Sequence, residues 1–279
     1  MNSTQSVGNG TRRLDKLDDA ATLAMLVTAI GAQHQTPLFD AFGTLRITEE
    51  IPEAARIGPF ASAPPMTYRV ACRISSGQPR PQADASSDVC AIGLKLFTEK
   101  GAETDLLMTN EGGHLHARNA ARFKAVADII VALLAEGTVS GIAQSLREMM
   151  AARFGHVEGA RILANLFDKT SAHHIDSVAT EHYWGPVVQR GPAALRYSLH
   201  PHASTPAATH TARHGDNALR AELFNRLQQG PVKWRFGVQC FVDDAFVACK
   251  SDVVMIGEFE IDAPPTDDDE ARISRSSAR

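Results

Sequence analysis

Apolar and polar positions along the chain change their period several times, and each change marks an element. Leu14, Leu17, Ala21, Ala24, Val27 and Ile30 recur at helical spacing, which predicts an amphipathic helix over 14–33. A strand follows near 42–48, closed by Glu49, Glu50 and Pro52. The plainest strand is "MTYRVACRISSG", with Val70 and Cys72 on one face and Arg69, Ala71 and Arg73 on the other. After a turn-rich loop, "SSGQPRPQADASSD", two more strands read as "VCAIGLKLFTEKG" and "TDLLMTN".

The period then becomes helical. Asn119 is a good N-cap, and Phe123, Val126, Ile130, Leu133 and Leu134 continue as one stripe. Further helices are predicted near 139–154 and 157–168. "AALRYSLHPH" returns to a strand, "DNALRAELFNRLQQG" is a helix ended by Gly230, and "VKWRFGVQCFVDD" and "DVVMIGEFEI" are strands. Residues 1–13 and 263–279 are polar and charged and read as disordered ends around one domain at 14–262. Strands on both sides of a helical block predict an α+β domain built on an antiparallel β-barrel with helical insertions.

Composition narrows the function. The net charge of −4, with no basic stripe interleaved with aromatics, argues against nucleic acid as a partner. No apolar run approaches the roughly 18 residues of a membrane helix. The polar start "MNSTQSVGNGTRR" lacks a secretory apolar core, so a cytoplasmic location is the expectation. The four cysteines form no CxxC pair and read as reduced, buried thiols. No nucleophile elbow, P-loop or dinucleotide fingerprint is present, which leaves hydrolase, kinase and nicotinamide chemistry without support. His114 with His116, His200 with His202, and the adjacent His173 and His174 are the pairs that a metal site could use, but no further ligand stands at metal-binding spacing beside them.

Several segments in order resemble the small catalase-like haem proteins: "FGTLRIT" with "IP", "YRVACRISSG", "DVCAIGLKLFTEKG", "TDLLMTN…HARNAARF", "YWGPVVQRGPAALRYSLHP" and "LRAELFNRLQQGPVKWRFGVQCFVDD". Together they span about residues 14 to 262. The resemblance implies a catalase-type barrel, a haem cofactor and a peroxide substrate. It implies Asn110 as the amide that orients the peroxide, thirteen residues before Phe123 as the ring-stacking aromatic. His34 stands beside the distal acid/base position; counting eight back from Gly43 lands on Gln35, so either one residue is inserted in "QTPLFDA" or an amide replaces the base.

By the same resemblance Arg73 would meet a haem propionate and Ser75 would fix the tautomer of the distal imidazole. Cys90 and Ala91 stand where the family carries Arg-Gly. The family's iron ligand is a tyrosine on a C-terminal helix, preceded by an arginine. Tyr68, Tyr183 and Tyr197 all fall in barrel segments, so no residue inherits that proximal role. Peroxidase-like turnover of organic hydroperoxides is therefore expected over fast dismutation, with a second copy or a partner chain as one way to cover the proximal haem face. The alternative is a haem-free protein of the same fold with a binding or different enzymatic role.

Overall fold

The computed structural model describes residues 37–76, 89–98, 103–110, 120–136, 140–170, 175–190, 193–206, 217–241 and 252–277. Nine strands are present: β1 (Pro37–Ile47), β2 (Met66–Ser76), β3 (Cys90–Phe97), β4 (Glu103–Thr109), β5 (Tyr183–Trp184), β6 (Val188–Arg190), β7 (Ala193–Pro201), β8 (Val232–Phe241) and β9 (Val254–Ile261). All pairings are antiparallel, in the order β5-β4-β3-β2-β1-β9-β8-β7-β6, and β5 also pairs with β7. That second pairing closes the sheet into a barrel. Tyr183 opposes Leu199, Trp184 opposes Ser198, and the Gly185 amide donates to the Tyr197 carbonyl at 2.9 Å. Val188 then opposes Leu195, so β5 and β6 are two pieces of one interrupted edge along β7. Counted that way, the barrel has eight strands.

Alternation explains why these segments are strands. On β2, Val70, Cys72 and Ile74 are fully buried toward the barrel interior. Leu94 and Leu96 of β3, Phe236 and Val238 of β8, and Phe259 and Ile261 of β9 complete the same core. Burying each such side chain stabilises the fold by roughly 1.5–3 kcal/mol. Where β1 meets β9 the backbones approach so closely that a Cβ on Gly257 would stand 2.0 Å from the Arg46 carbonyl oxygen. Only glycine allows that approach.

The helical insertion forms α1 (Ala120–Glu136), α2 (Ile142–Phe154) and α3 (His156–Thr170). It has a core of its own, in which Val126, Ile130 and Leu133 meet Leu146, Met150, Ile162 and Leu166. α4 (Ala218–Gln229) ends at Gly230, as its sequence indicates. Two expectations are corrected. The segment from 263 does not remain without structure: α5 (Asp267–Ser277) forms and buries Ile273. Thr266 and Asp269 cap it reciprocally, the Asp269 carboxylate accepting from the Thr266 amide at 3.1 Å and the Thr266 hydroxyl from the Asp269 amide at 3.2 Å. The second concerns Phe123, which is 53% exposed and stands at the edge of the packed stripe of α1. The helix predicted at 14–33 and the cap at Asn119 lie outside the described residues, as do His114, His116, His173 and His174.

Candidate functional site

Strand register brings three of the sequence-predicted residues to one end of the barrel. Ser75 opposes Ala91, which opposes Thr109, the last residue of β4 before Asn110. Two strand spacings, about 10 Å, therefore separate Ser75 from the end of β4. Arg73 lies in the neighbouring row, opposite Asp40 on β1 and Gly93 on β3, and Gly93 opposes Leu107. His34 precedes Pro37 by three positions in the sequence, and Pro37 opposes Ser75; His34 itself is outside the described residues. Phe123 belongs to the helical insertion, apart from these rows.

Each side chain at this end has definite partners. The Arg73 guanidinium donates to both oxygens of Asp40, from Nε at 3.1 Å and Nη2 at 3.3 Å. Asp40 is almost wholly buried, and burial pushes its carboxyl up more than Arg73 pulls it down. Asn110 is buried as well. Its Oδ1 accepts from the Cys90 amide at 2.9 Å, and its Nδ2 donates to Glu181 at 3.0 Å. Ser75 is buried on β2. In the same row Gly93 of β3 and Leu107 of β4 follow Arg73, and the Leu107 side chain lies beside Gly93, where a Cβ would stand 3.3 Å from it. Leu107 is 67% exposed, unusual for a leucine on a barrel strand.

The tyrosines serve the barrel. Tyr183 is fully buried and donates to the Val178 carbonyl at 2.8 Å; burial holds its phenol well above its usual range, so it stays protonated. Tyr68 donates to the Pro59 carbonyl. The Tyr197 ring stacks on Phe236 with centroids 5.5 Å apart.

A second cluster lies on the outward face of β7 and its neighbours, and sequence reasoning missed most of it. Arg196 donates to Gln239 at 2.8 Å and lies over the Trp184 ring at 4.3 Å. His200 stands edge-on to both Trp184 and His182, with centroids 5.0 and 5.2 Å away, and its Nε2 lies 2.9 Å from the Ser198 hydroxyl. Burial, then His182, Arg235 and Arg196, push its pKa down to about 4, so this imidazole is neutral at pH 7. The alternation Arg196, Ser198, His200 on one strand was the available sequence signal. His202 is engaged separately, with Ser204 and Glu258. Among the described residues no group of three or more His, Cys, Asp or Glu side chains is placed to hold a metal ion, and none of the described helices is long and apolar enough to cross a membrane.

No protein-family model matches the chain, and no curated protein matches it. Among solved structures, a bacterial catalase superposes on it with a TM-score of 0.53 at 17% identity, over 84% of this chain and 49% of that one. The fold is catalase-like. The chain spans about half the length of that catalase, so the likeness carries the barrel and not the activity. Against the catalase-like frame, the barrel end can be tested for fit to haem. A planar apolar ring needs an apolar wall with a cation at its edge; here the exposed apolar surface is Leu107 beside Gly93, and the partly exposed Arg73 is paired with Asp40. An apolar residue and an edge cation of the kind the group needs are therefore present, the cation already carrying a partner. The three tyrosines all lie in barrel positions, so none of them stands where a C-terminal ligand helix would place one.

Proposed function

We propose that this catalase-like barrel holds haem against the outer face of β2–β4 and reacts with peroxides, turning over organic hydroperoxides in preference to dismutating hydrogen peroxide. The observation that carries the reading is the exposed Gly93–Leu107 strip flanked by Arg73, Ser75 and Asn110. Haem, when bound, supplies the redox-active iron at which an O–O bond is broken. Arg73 offers its guanidinium to a carboxylate at the edge of the ring. Asn110 is anchored through Oδ1 on the Cys90 amide and donates from Nδ2 to Glu181, so orienting a peroxide oxygen would require that amide to exchange Glu181 for the substrate. His34, by the resemblance, would move the proton from one peroxide oxygen to the other, and Ser75 would fix its tautomer. Phe123, to which the resemblance gives the ring-stacking role, stands half exposed on α1 of the helical insertion and would have to be brought onto this face. A second copy or a partner chain covering the proximal face is one source of the iron ligand.

A second reading has its own support. Asp40 already occupies Arg73, and Glu181 already accepts from Asn110, an arrangement also expected of a barrel that has kept the fold and given up the cofactor. The test is consumption of cumene hydroperoxide and of hydrogen peroxide by protein supplied with hemin. On the haem reading His34→Ala slows hydroperoxide consumption by about 100-fold or more while hemin content is kept. An unchanged rate removes His34 from the base role. Absence of turnover together with absence of bound hemin favours the second reading.

A further inference from the structure

The barrel is closed at only one point on the β4 side, and that closure leaves a built cavity. β4 meets β5 through the single pair Thr109–Trp184, whereas β5 and β6 follow β7 from Leu199 to Ala193. Below Thr109 the strands part, and from Thr104 to Met108 that edge of β4 has no strand partner among the described residues. A cavity of about 120 Å³ fills the gap, with Phe60, Leu106, Met108, Pro186, Val188 and Tyr197 among its walls.

Its walls are fixed. The Phe60 amide donates to the Ile57 carbonyl at 3.0 Å, Tyr68 donates to Pro59, and the Phe60 ring is tilted against Tyr197 with centroids 5.3 Å apart. Two properties define what the space can take. Its aromatic and thioether walls and its size resemble the roughly 150 Å³ apolar cavity that accepts benzene. Unlike such a cavity, it is bordered by an unpaired strand edge, where alternate residues direct both N–H and C=O outward. An apolar molecule would leave those groups dry and unmatched.

We propose that the β4–β6 seam is a binding site for an uncharged single-ring aromatic molecule bearing one hydroxyl group, the ring lying between Phe60, Met108 and Tyr197 and the hydroxyl meeting the open edge of β4. The site borders the haem strip at Leu107, which lines both, but it uses neither Arg73, Ser75 nor Asn110, and its test needs no hemin.

The experiment titrates phenol and, as the apolar control, toluene into full-length protein carrying ¹³C-methyl methionine, without added hemin. The Met108 methyl resonance, assigned with Met108→Leu, is expected to shift saturably with phenol, and phenol is expected to bind about tenfold more tightly than toluene, one hydrogen bond's worth. Val188→Trp, a change at the partly exposed rim, is expected to weaken phenol at least tenfold while the other methionine signals stay in place. If that variant does not keep those signals, Pro186→Phe at the exposed side of the rim replaces it. A Met108 shift that does not saturate, or phenol binding unaffected by the rim variant, overturns the site. Equal affinity for toluene overturns the hydroxylated class.

Discussion

Removing Arg73 separates a structural from a purely ligand-directed role for this side chain. Asp40 is 5% exposed, and Arg73, whose side chain is 30% exposed, gives it two hydrogen bonds. Arg73→Leu leaves a buried carboxylate without its cation, at a cost of about 2–3 kcal/mol, the low side of the range for buried pairs because water reaches Arg73. Asp40→Asn keeps an acceptor and frees Arg73 to turn outward, so its cost is about 1 kcal/mol. The double variant Asp40→Asn/Arg73→Leu has no charge left to strand, and the cycle should show coupling of at least about 1 kcal/mol. Urea denaturation of the four proteins measures this.

A pH series adds a second reading of the same pair. The carboxyl of Asp40 is raised from 3.8, burial being the larger cause, and losing Arg73 raises it further. A carboxyl raised in the folded state favours folding once protonated, and that favour is lost as pH rises through its folded value. The Arg73→Leu penalty should therefore shrink as pH falls from the raised value toward 3.8, and the double variant should show no such slope. Additivity within about 0.5 kcal/mol, or a penalty indifferent to pH, would refute the reasoning.

His200, with a folded pKa of about 4 against an ordinary 6.5, should stay neutral through most of a ring-resonance NMR titration. Its stabilisation is complete above 6.5 and lost as pH falls toward 4; with half the ring near solvent the loss is about 1–2 kcal/mol, absent in His200→Gln, and a midpoint near the ordinary value would contradict the burial argument. Gly257→Ala should cost at least about 3 kcal/mol, because β1 and β9 must separate around the Arg46 carbonyl, and a near-normal thermal melt would contradict the close approach. Asn110→Ala should cost about 1–3 kcal/mol by leaving the Cys90 amide unmatched. Asn110→Asp should be worse at pH 7 than at pH 4, since the new carboxylate then faces Glu181, and equal stability at both would contradict that contact.

The barrel strands were legible because burial on one face imposes alternation, as on β2, and the helical insertion because its stripe has a helical period. Positions that depend on distant pairing were not. Nothing local to Arg73 announces Asp40, which meets it only through the β1–β2 register. β5, a two-residue strand, is too short to carry a period, yet it closes the barrel and places Trp184 against His200. α5 was hidden by an acidic and serine-rich composition, although Thr266 and Asp269 have the spacing of a reciprocal cap and its acidic first turn suits a helix N-terminus. Phe123 fits the helical stripe in one dimension, but only packing shows that it stands at the edge.

Titration of the full-length protein with hemin, followed at the Soret band, tests the central claim most directly. The account predicts a sharp band saturating at one haem per chain, with Arg73→Leu weakening the affinity. Leu107→Glu, which places a charge on the exposed strip, should abolish binding while the barrel stays folded. Absence of saturable binding, or saturation that Leu107→Glu leaves untouched, would contradict a haem site on the outer face of β2–β4.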